Sequence, residues 1–306
     1  MICPLSRMEE HGWRRCGKLS EPGSIFEIEG REPPMIDGCE HEGEPPVPVA
    51  SCDPPAVGIR HQMAAAALPG PQYREVLRWI HELLQPPTYI EIGVWKGDSL
   101  RIAGDQTTCL GIDPHPLIEE RSPRTRVFAM TSDEFFERES LPSLLSGPHF
   151  ALAFIDGMHV WEQALRDFLH LELYAGAGSV ILIHDCIPLD EATSERTRST
   201  GFYTGDVWKL PLCLRENRPD LRIAIVRTAP TGLCLVTNLD PANRVLTSRY
   251  QGLVDGYTPL IYADYEASLD RMPPSVPNKR EAIATWLEAA GAMPERKRSC
   301  NPDPGR

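Results

Sequence analysis

Two groups of residues carry the chemistry this sequence offers. In the first, Tyr89-Ile90-Glu91-Ile92 runs into Gly93-Val94-Trp95-Lys96-Gly97, and Asp113 closes the later run Leu110-Gly111-Ile112. Glycines after an apolar strand let backbone approach a ligand, and a carboxylate ending the next strand can accept both hydroxyl protons of a ribose. Asp113 follows Glu91 by 22 residues, close to the ~20 of one strand–helix–strand unit. The pattern suits a nucleoside-bearing cofactor; the bland alternative is a tight strand-to-helix turn that holds no ligand. The second group is Asp156-Gly157-Met158-His159 after Phe154-Ile155, with His184-Asp185 after Ile183. Asp156 and Asp185 at strand ends can converge on a divalent cation through oxygen ligands, and such an ion lowers the pKa of an acceptor hydroxyl. Alternatively His159 removes that proton itself, since an ordinary imidazole pKa of ~6.5 suits a base near neutral pH. The structural alternatives are a turn made by Asp156-Gly157, a cap made by Asp185 and a hydrogen-bonded His184.

These residues need a scaffold, and the hydrophobic pattern describes one. Strands are expected at Tyr89–Ile92, Thr108–Ile112, Val127–Ala129, Ala151–Ile155 and Ser179–Ile183. Helices are expected near Asp98–Ala103, Asp133–Leu144 and Val160–Tyr174, preceded by one carrying Val76, Leu77, Ile80, Leu83 and Leu84 and stopped by Pro86-Pro87. Near-continuous apolar runs such as Ala151–Ile155 imply strands covered on both faces, as in a parallel sheet. Leu221–Val226 and Leu233–Val236 are separated by too few residues for a parallel crossover, so they must form an antiparallel hairpin. The fold class is therefore α/β: a doubly wound, mostly parallel seven-stranded sheet with an antiparallel C-terminal hairpin.

Three segments follow. Residues 1–68 are rich in Pro, Gly and Glu and show little periodicity beyond Ser24–Ile28, so they read as a flexible head. Residues 69–248 form the cofactor-binding domain. Residues 249–306 form an extension with one helix, capped by Asn278 and Glu281 and bearing Ile283, Trp286, Leu287 and Ala290, then a disordered charged tail. Across its 306 residues the chain has 42% hydrophobic and 24% charged residues, ordinary for a globular protein, and a net charge of −12. That charge argues against a broad nucleic-acid or anionic-membrane surface. No apolar run is long enough to span a bilayer and no secretory signal is seen, so the expected location is the cytoplasm. Cys109, Cys186 and Cys234 read as small core residues of a reduced protein; Cys39-Glu40-His41 is the nearest approach to a metal-ligand pair in the head.

With these elements in place, residues 72–240 resemble the class I S-adenosylmethionine-dependent methyltransferases. The resemblance rests on Glu91-Ile92-Gly93-Val94-Trp95-Lys96-Gly97, Asp113 and the closing hairpin. Phe154-Ile155-Asp156-Gly157-Met158-His159, Ile183-His184-Asp185 and Thr204-Gly205-Asp206-Val207-Trp208-Lys209 are similar to its small-molecule O-methyltransferase branch. The resemblance implies methylation of an oxygen on a small polar acceptor, such as a sugar or secondary metabolite. S-adenosylmethionine would be the cofactor and Mg²⁺ or another divalent cation a further one. It implies that Gly93 and Gly97 pass beside the methionine part and that Glu91 orients that turn through backbone N–H groups or meets the ammonium through water. Asp113 would take the ribose, Ser132 or Asp133 would lie near adenine, and Asp156 and His159 would be catalytic. Metal-dependent relatives carry a further Asp or Asn where this chain has Cys186, a poor ligand for a hard ion. Asp190–Arg198 suggests a substrate lid, with Tyr203, Trp208 and Lys209 lining the acceptor pocket or, for Trp208, the core. Two other functions fit less: a non-catalytic nucleoside-binding protein of the same fold, and an NAD-dependent dehydrogenase, which would need Gly-x-Gly-x-x-Gly.

Overall fold

In the computed structural model, which describes residues 54–119 and 121–293, the apolar runs join one eight-stranded sheet. Its strands are β1 (Thr88–Ile92), β2 (Thr108–Ile112), β3 (Thr125–Phe128), β4 (Phe150–Ile155), β5 (Ala175–His184), β6 (Arg222–Val226), β7 (Leu233–Thr237) and β8 (Ser275–Val276), in the spatial order 3-2-1-4-5-7-6-8. β1 pairs in parallel with β2 and β4, and β4 with β5, whereas β7 runs antiparallel between β5 and β6. The doubly wound sheet and closing hairpin expected from the sequence are both present. The eighth strand was not expected: its two residues pair with the end of β6 and are too few to show any alternation.

Helices cover both faces. They are α1 (Pro54–Ala67), α2 (Tyr73–Leu84), α3 (Ser132–Arg138), α4 (Leu141–Leu145), α5 (Trp161–Glu172), α6 (Glu191–Ser194), α7 (Lys209–Asn217), α8 (Val245–Ser248), α9 (Tyr250–Tyr257), α10 (Tyr262–Ala267) and α11 (Arg280–Ala289). On one face Trp161, Leu165 and Phe168 of α5 and Leu210 and Leu214 of α7 pack in a core with Ile90, Ala153 and Ile181. On the other, Val76, Leu77 and Ile80 of α2 and Ile283 and Leu287 of α11 pack in a core with Tyr89, Leu152 and Leu235. This explains why β1 and β7 are buried along their whole lengths, with each large aliphatic side chain among them contributing about 1.5–3 kcal/mol.

Several expectations are corrected. The helix expected over Asp98–Ala103 is a single 3₁₀ turn, Leu100–Ile102, because the chain must already enter β2 at Thr108. The helix expected over Asp133–Leu144 is two: Thr131 opens α3 with a capping box, and α4 begins after Ser140, with Pro142 in its first turn. α1 lies inside the stretch read as a flexible head; residues 1–53, with Ser24–Ile28 and the Cys39–His41 pair, lie outside the described residues. The C-terminal extension holds α9, α10 and β8 as well as α11, and Asn278 donates to the Pro71 carbonyl rather than capping α11. Cys109, Cys186 and Cys234 are buried free thiols, as expected. Among the described residues no helix is long and apolar enough to cross a membrane.

Candidate active site

The strand order reverses between β1 and β4, and in a sheet of this kind ligands settle outside the carboxyl ends at such a point. The glycine loop lies there. Gly93 and Gly97 both have positive φ, at 89° and 73°. A Cβ on Gly93 would run into the Asp156 carbonyl, and one on Gly97 would strike the Ile118 side chain. Gly93 is thus demanded by neighbouring backbone as well as by its own conformation, and Gly97 chiefly by its conformation. Trp95 also takes a positive φ, 44°, which is uncommon for a bulky residue, and stands 58% exposed. A strained, exposed aromatic beside a strand end is the kind of outlier found at binding sites.

Asp113 fastens this loop. Its Oδ2 accepts from the backbone N–H groups of Val94 at 2.9 Å and Trp95 at 2.7 Å, and Oδ1 accepts from that of His115 at 2.7 Å. A carboxylate has about four acceptor positions, so one remains open for a ligand hydroxyl. Glu91 does something different from what was expected. It is fully buried, accepts from the Tyr89 hydroxyl at 2.7 Å and the Ser99 hydroxyl at 2.6 Å, and makes no bond to the loop amides. Burial pushes its carboxyl up to about 8 against the pull of those two hydroxyls.

Ser132 and Asp133, expected near adenine, bond to residues of α5. Ser132 donates to Asp167 at 2.6 Å, and Asp133 pairs with Arg166 at 3.2 Å. Their position after β3 was read correctly, but the start of α3 is held against α5 by these polar bonds.

The second group does converge. Asp156, at the end of β4, and His184, at the end of β5, meet with Nδ1 and Oδ1 3.0 Å apart; Asp185 Oδ1 is 3.4 Å from the same nitrogen. His184 Nε2 lies 3.2 Å from the Thr231 hydroxyl, and its ring centre is 4.2 Å from that of Tyr73 on α2. Burial alone would favour a neutral His184, but Asp156 and Asp185 outweigh it and hold the ring charged. Burial likewise opposes ionisation of Asp185, yet His159 and His184 pull its carboxyl down to about 2. Asp185 adopts a left-handed φ of 58°, which Asp tolerates better than most residues.

His159 completes the cluster. Its Nε2 is 3.2 Å from Asp185 Oδ2, its Nδ1 is 3.2 Å from the Tyr203 carbonyl, and its ring stacks on that of Tyr203 at 5.5 Å. A carbonyl and a carboxylate can only accept, so both ring nitrogens are turned to acceptors, Nδ1 to Tyr203 and Nε2 to Asp185. The segment Thr204–Lys209 supports this loop from behind. Gly205, at φ 55°, lets its backbone pack on the His159 carbonyl where any Cβ would collide. Asp206 accepts from the Trp161 N–H at 2.9 Å, from Arg196 at 2.7 Å and from Lys209 at 2.8 Å. Trp208 and Lys209 are 1% exposed, so they belong to the core and a buried ion pair rather than to an acceptor pocket. Tyr203 alone of the three reaches the site.

Asp156, His184 and Asp185 present ligand atoms within 4.8 Å of one another, enough to hold a metal ion. The Cys186 thiol turns away to the Ile183 carbonyl at 3.1 Å and supplies no third acid.

Residues 90–186 match the family model described as a methyltransferase domain. Among solved structures, cofactor-bound Rv0187 from MTB aligns at 20% identity over 61% of this chain and 90% of that one, with a TM-score of 0.44. The O-methyltransferase TomG from Streptomyces achromogenes, solved with SAM, aligns at 17% identity over 59% of this chain and 88% of that one, with a TM-score of 0.40. An O-methyltransferase from Bacillus cereus, solved with SAH, aligns at 14% identity over 62% and 93%, with a TM-score of 0.38. A search of the curated proteins returns no match.

Proposed function

From a chain whose residues 90–186 match the model of a methyltransferase domain, we propose a protein that moves the methyl group of S-adenosylmethionine to a hydroxyl oxygen of a small polar acceptor, such as a sugar or secondary metabolite. The observation that carries this reading is the juxtaposition, across the β1–β4 reversal, of the Asp113-fastened glycine loop with the His159–Asp185 pair. When bound, the cofactor supplies an electrophilic sulfonium methyl to an in-line displacement, a reaction governed largely by alignment.

The chain's own residues divide the work. Asp113, held against the loop amides, keeps an acceptor position for the ribose, and the exposed Trp95 offers an apolar wall beside it. His159 is oriented by the Tyr203 carbonyl at Nδ1 and by Asp185 at Nε2; an acceptor hydroxyl that displaces the Nε2–Asp185 contact gives its proton to the neutral ring, and Asp185 stabilises the charge that forms there. Asp156, His184 and Asp185 fit a divalent cation that accepts mixed oxygen and nitrogen ligands better than one restricted to oxygen. Such an ion would lower the acceptor pKa, and His184 would release its Nδ1 proton to hold it. The antiparallel β7 supports this reading over a nicotinamide dehydrogenase.

Titration calorimetry with S-adenosylmethionine and S-adenosylhomocysteine tests the proposal. Saturable binding of both is expected; binding of neither rejects it. Binding without turnover across a broad acceptor panel, with and without Mg²⁺ or Mn²⁺, would favour the non-catalytic alternative.

A further inference from the structure

Asp156, His184 and Asp185 stand at the ends of β4 and β5, whereas His159 lies farther out, in the connection to α5, with its side chain 29% exposed. Two side-chain torsions must be fixed there before the ring has a definite aim. Asp185 holds Nε2 at 3.2 Å, but in the proposed reaction an acceptor hydroxyl displaces that contact. Among the described residues, the other holds on the ring both come from Tyr203. Its carbonyl accepts from Nδ1 at 3.2 Å, and its ring lies parallel to the imidazole with centres 5.5 Å apart. The hydrogen bond aims one nitrogen, and the stack sets the plane of the ring.

Tyr203 is held in turn by a segment that stands away from the sheet. Its hydroxyl donates to the Arg196 carbonyl at 2.7 Å, and the Arg198 guanidinium lies over its ring with the central carbon 5.7 Å from the centre. Arg196 is itself anchored through Glu162 and Asp206, although residues 195–199 are all exposed. The neck of the segment closes where the Thr193 carbonyl accepts from the Thr204 hydroxyl at 2.8 Å and the Gly205 N–H at 3.1 Å. Its two ends meet α1: Asp190 pairs with Arg60 at 3.4 Å, and the buried Phe202 meets the His61 ring edge-on at 5.0 Å. Tyr203 thus touches His159 with its carbonyl and ring, and the anchored segment with its hydroxyl.

We propose that Tyr203 is the positioning residue for His159, and that its bond to Arg196 makes the aim of the imidazole depend on the seating of segment 190–203. The task of His159 as a base rests on the methyl-transfer reading; the mechanical link does not. A seated segment presents a fixed ring to the acceptor, and a loosened one leaves the ring free to turn once Asp185 is displaced.

The test uses the full chain carrying ¹³C-labelled histidine, with the His159 ring signal assigned by its loss in His159→Gln. Ring order parameters are measured for the wild type, Tyr203→Phe and Tyr203→Leu. Phenylalanine keeps the stacking ring and the main-chain carbonyl, so the bond to Arg196 is what it removes. The His159 value should drop in Tyr203→Phe and drop further in Tyr203→Leu, to below about 0.6, the range of flexible groups. The His184 ring, held by Asp156, Asp185 and Thr231, should keep its wild-type value in both. An unchanged His159 value in Tyr203→Leu overturns the positioning role, and an unchanged value in Tyr203→Phe overturns the link to the segment. Loss of order at His184 as well would mean a general loosening of the site and overturns both. If the leucine variant does not fold, the phenylalanine variant, which fills nearly the same space, decides alone. Failure of the chain to bind S-adenosylhomocysteine would remove the catalytic task of His159 and leave the ring measurements standing.

Discussion

Asp113 has two tasks that single substitutions can separate. Its carboxylate closes the glycine loop through the Val94 and Trp95 amides and, in the proposed function, receives a ribose hydroxyl. Asp113→Ala should weaken S-adenosylhomocysteine binding by about 1–3 kcal/mol in calorimetry, the worth of a hydrogen bond to a charged group. An unchanged dissociation constant would refute the assignment. Glu91 predicts a pH effect of definite sign. Its folded value of about 8 stands above the ordinary 4.5, so the folded chain keeps a proton that the unfolded chain loses between those limits. Its contribution is complete below about pH 4.5 and declines up to about pH 8, at no more than ~1.4 kcal/mol per pH unit. Glu91→Gln removes that slope, so the Tm of the variant relative to wild type should rise from pH 5 to pH 8; parallel profiles would contradict it. At this scale the sequence was readable wherever a functional group followed an apolar run, as Asp113, Asp156 and Asp185 do. Tyr73, Thr231 and the Tyr203 carbonyl left no local signal, because each meets the site from a distant part of the chain. The bonds of Ser132 and Asp133 to α5 were equally unreadable, because a residue opening a helix looks the same whether or not it meets a neighbouring helix.

In the proposed function the site is carried by two connections, 156–160 and 203–209, that brace each other. Gly205 gives the close approach, and Asp206 holds the start of α5 while neutralising Lys209 in a site where both side chains are at most 2% exposed. Asp206→Asn leaves a buried ammonium facing Arg196 without its carboxylate. Removing one member of such a pair costs about 3–5 kcal/mol, which a chemical denaturation curve would register. If the brace positions His159, Asp206→Glu should recover stability and turnover together, whereas a purely structural role would recover stability alone. The motif containing Asp206 was visible in the sequence, but its role was not, since a Trp-Lys pair beside a lid reads equally well as pocket lining. Strands were easier to read than helices for a related reason. Burial on both faces writes an unbroken apolar run, but whether a polar stretch such as Asp133–Leu144 is one helix or two depends on a cap at Thr131 and a proline at position 142.

At the scale of the whole molecule, the helical layer and the hairpin are tied by Arg218, which is 1% exposed and pairs with Glu172 of α5 at 2.8 Å and with Asp220 at 2.7 Å. Arg218→Met should destabilise the protein by about 3–5 kcal/mol because it strands the buried Glu172, while Arg218→Met combined with Glu172→Leu should regain much of that loss. Additive losses in the double variant would show that the pair does more than neutralise itself. The closing hairpin was legible because connection length alone separates a hairpin from a crossover. The two-residue β8 was not, since it arises from packing of the C-terminal extension. The loop at Gly93–Gly97 has one last consequence. Because Asp113 already holds it closed, a ligand arriving at β1 meets a rigid surface with no segment left to fold. Its association should therefore be a single step whose rate rises linearly with ligand concentration, and any slow phase in the enzyme must come from the acceptor side.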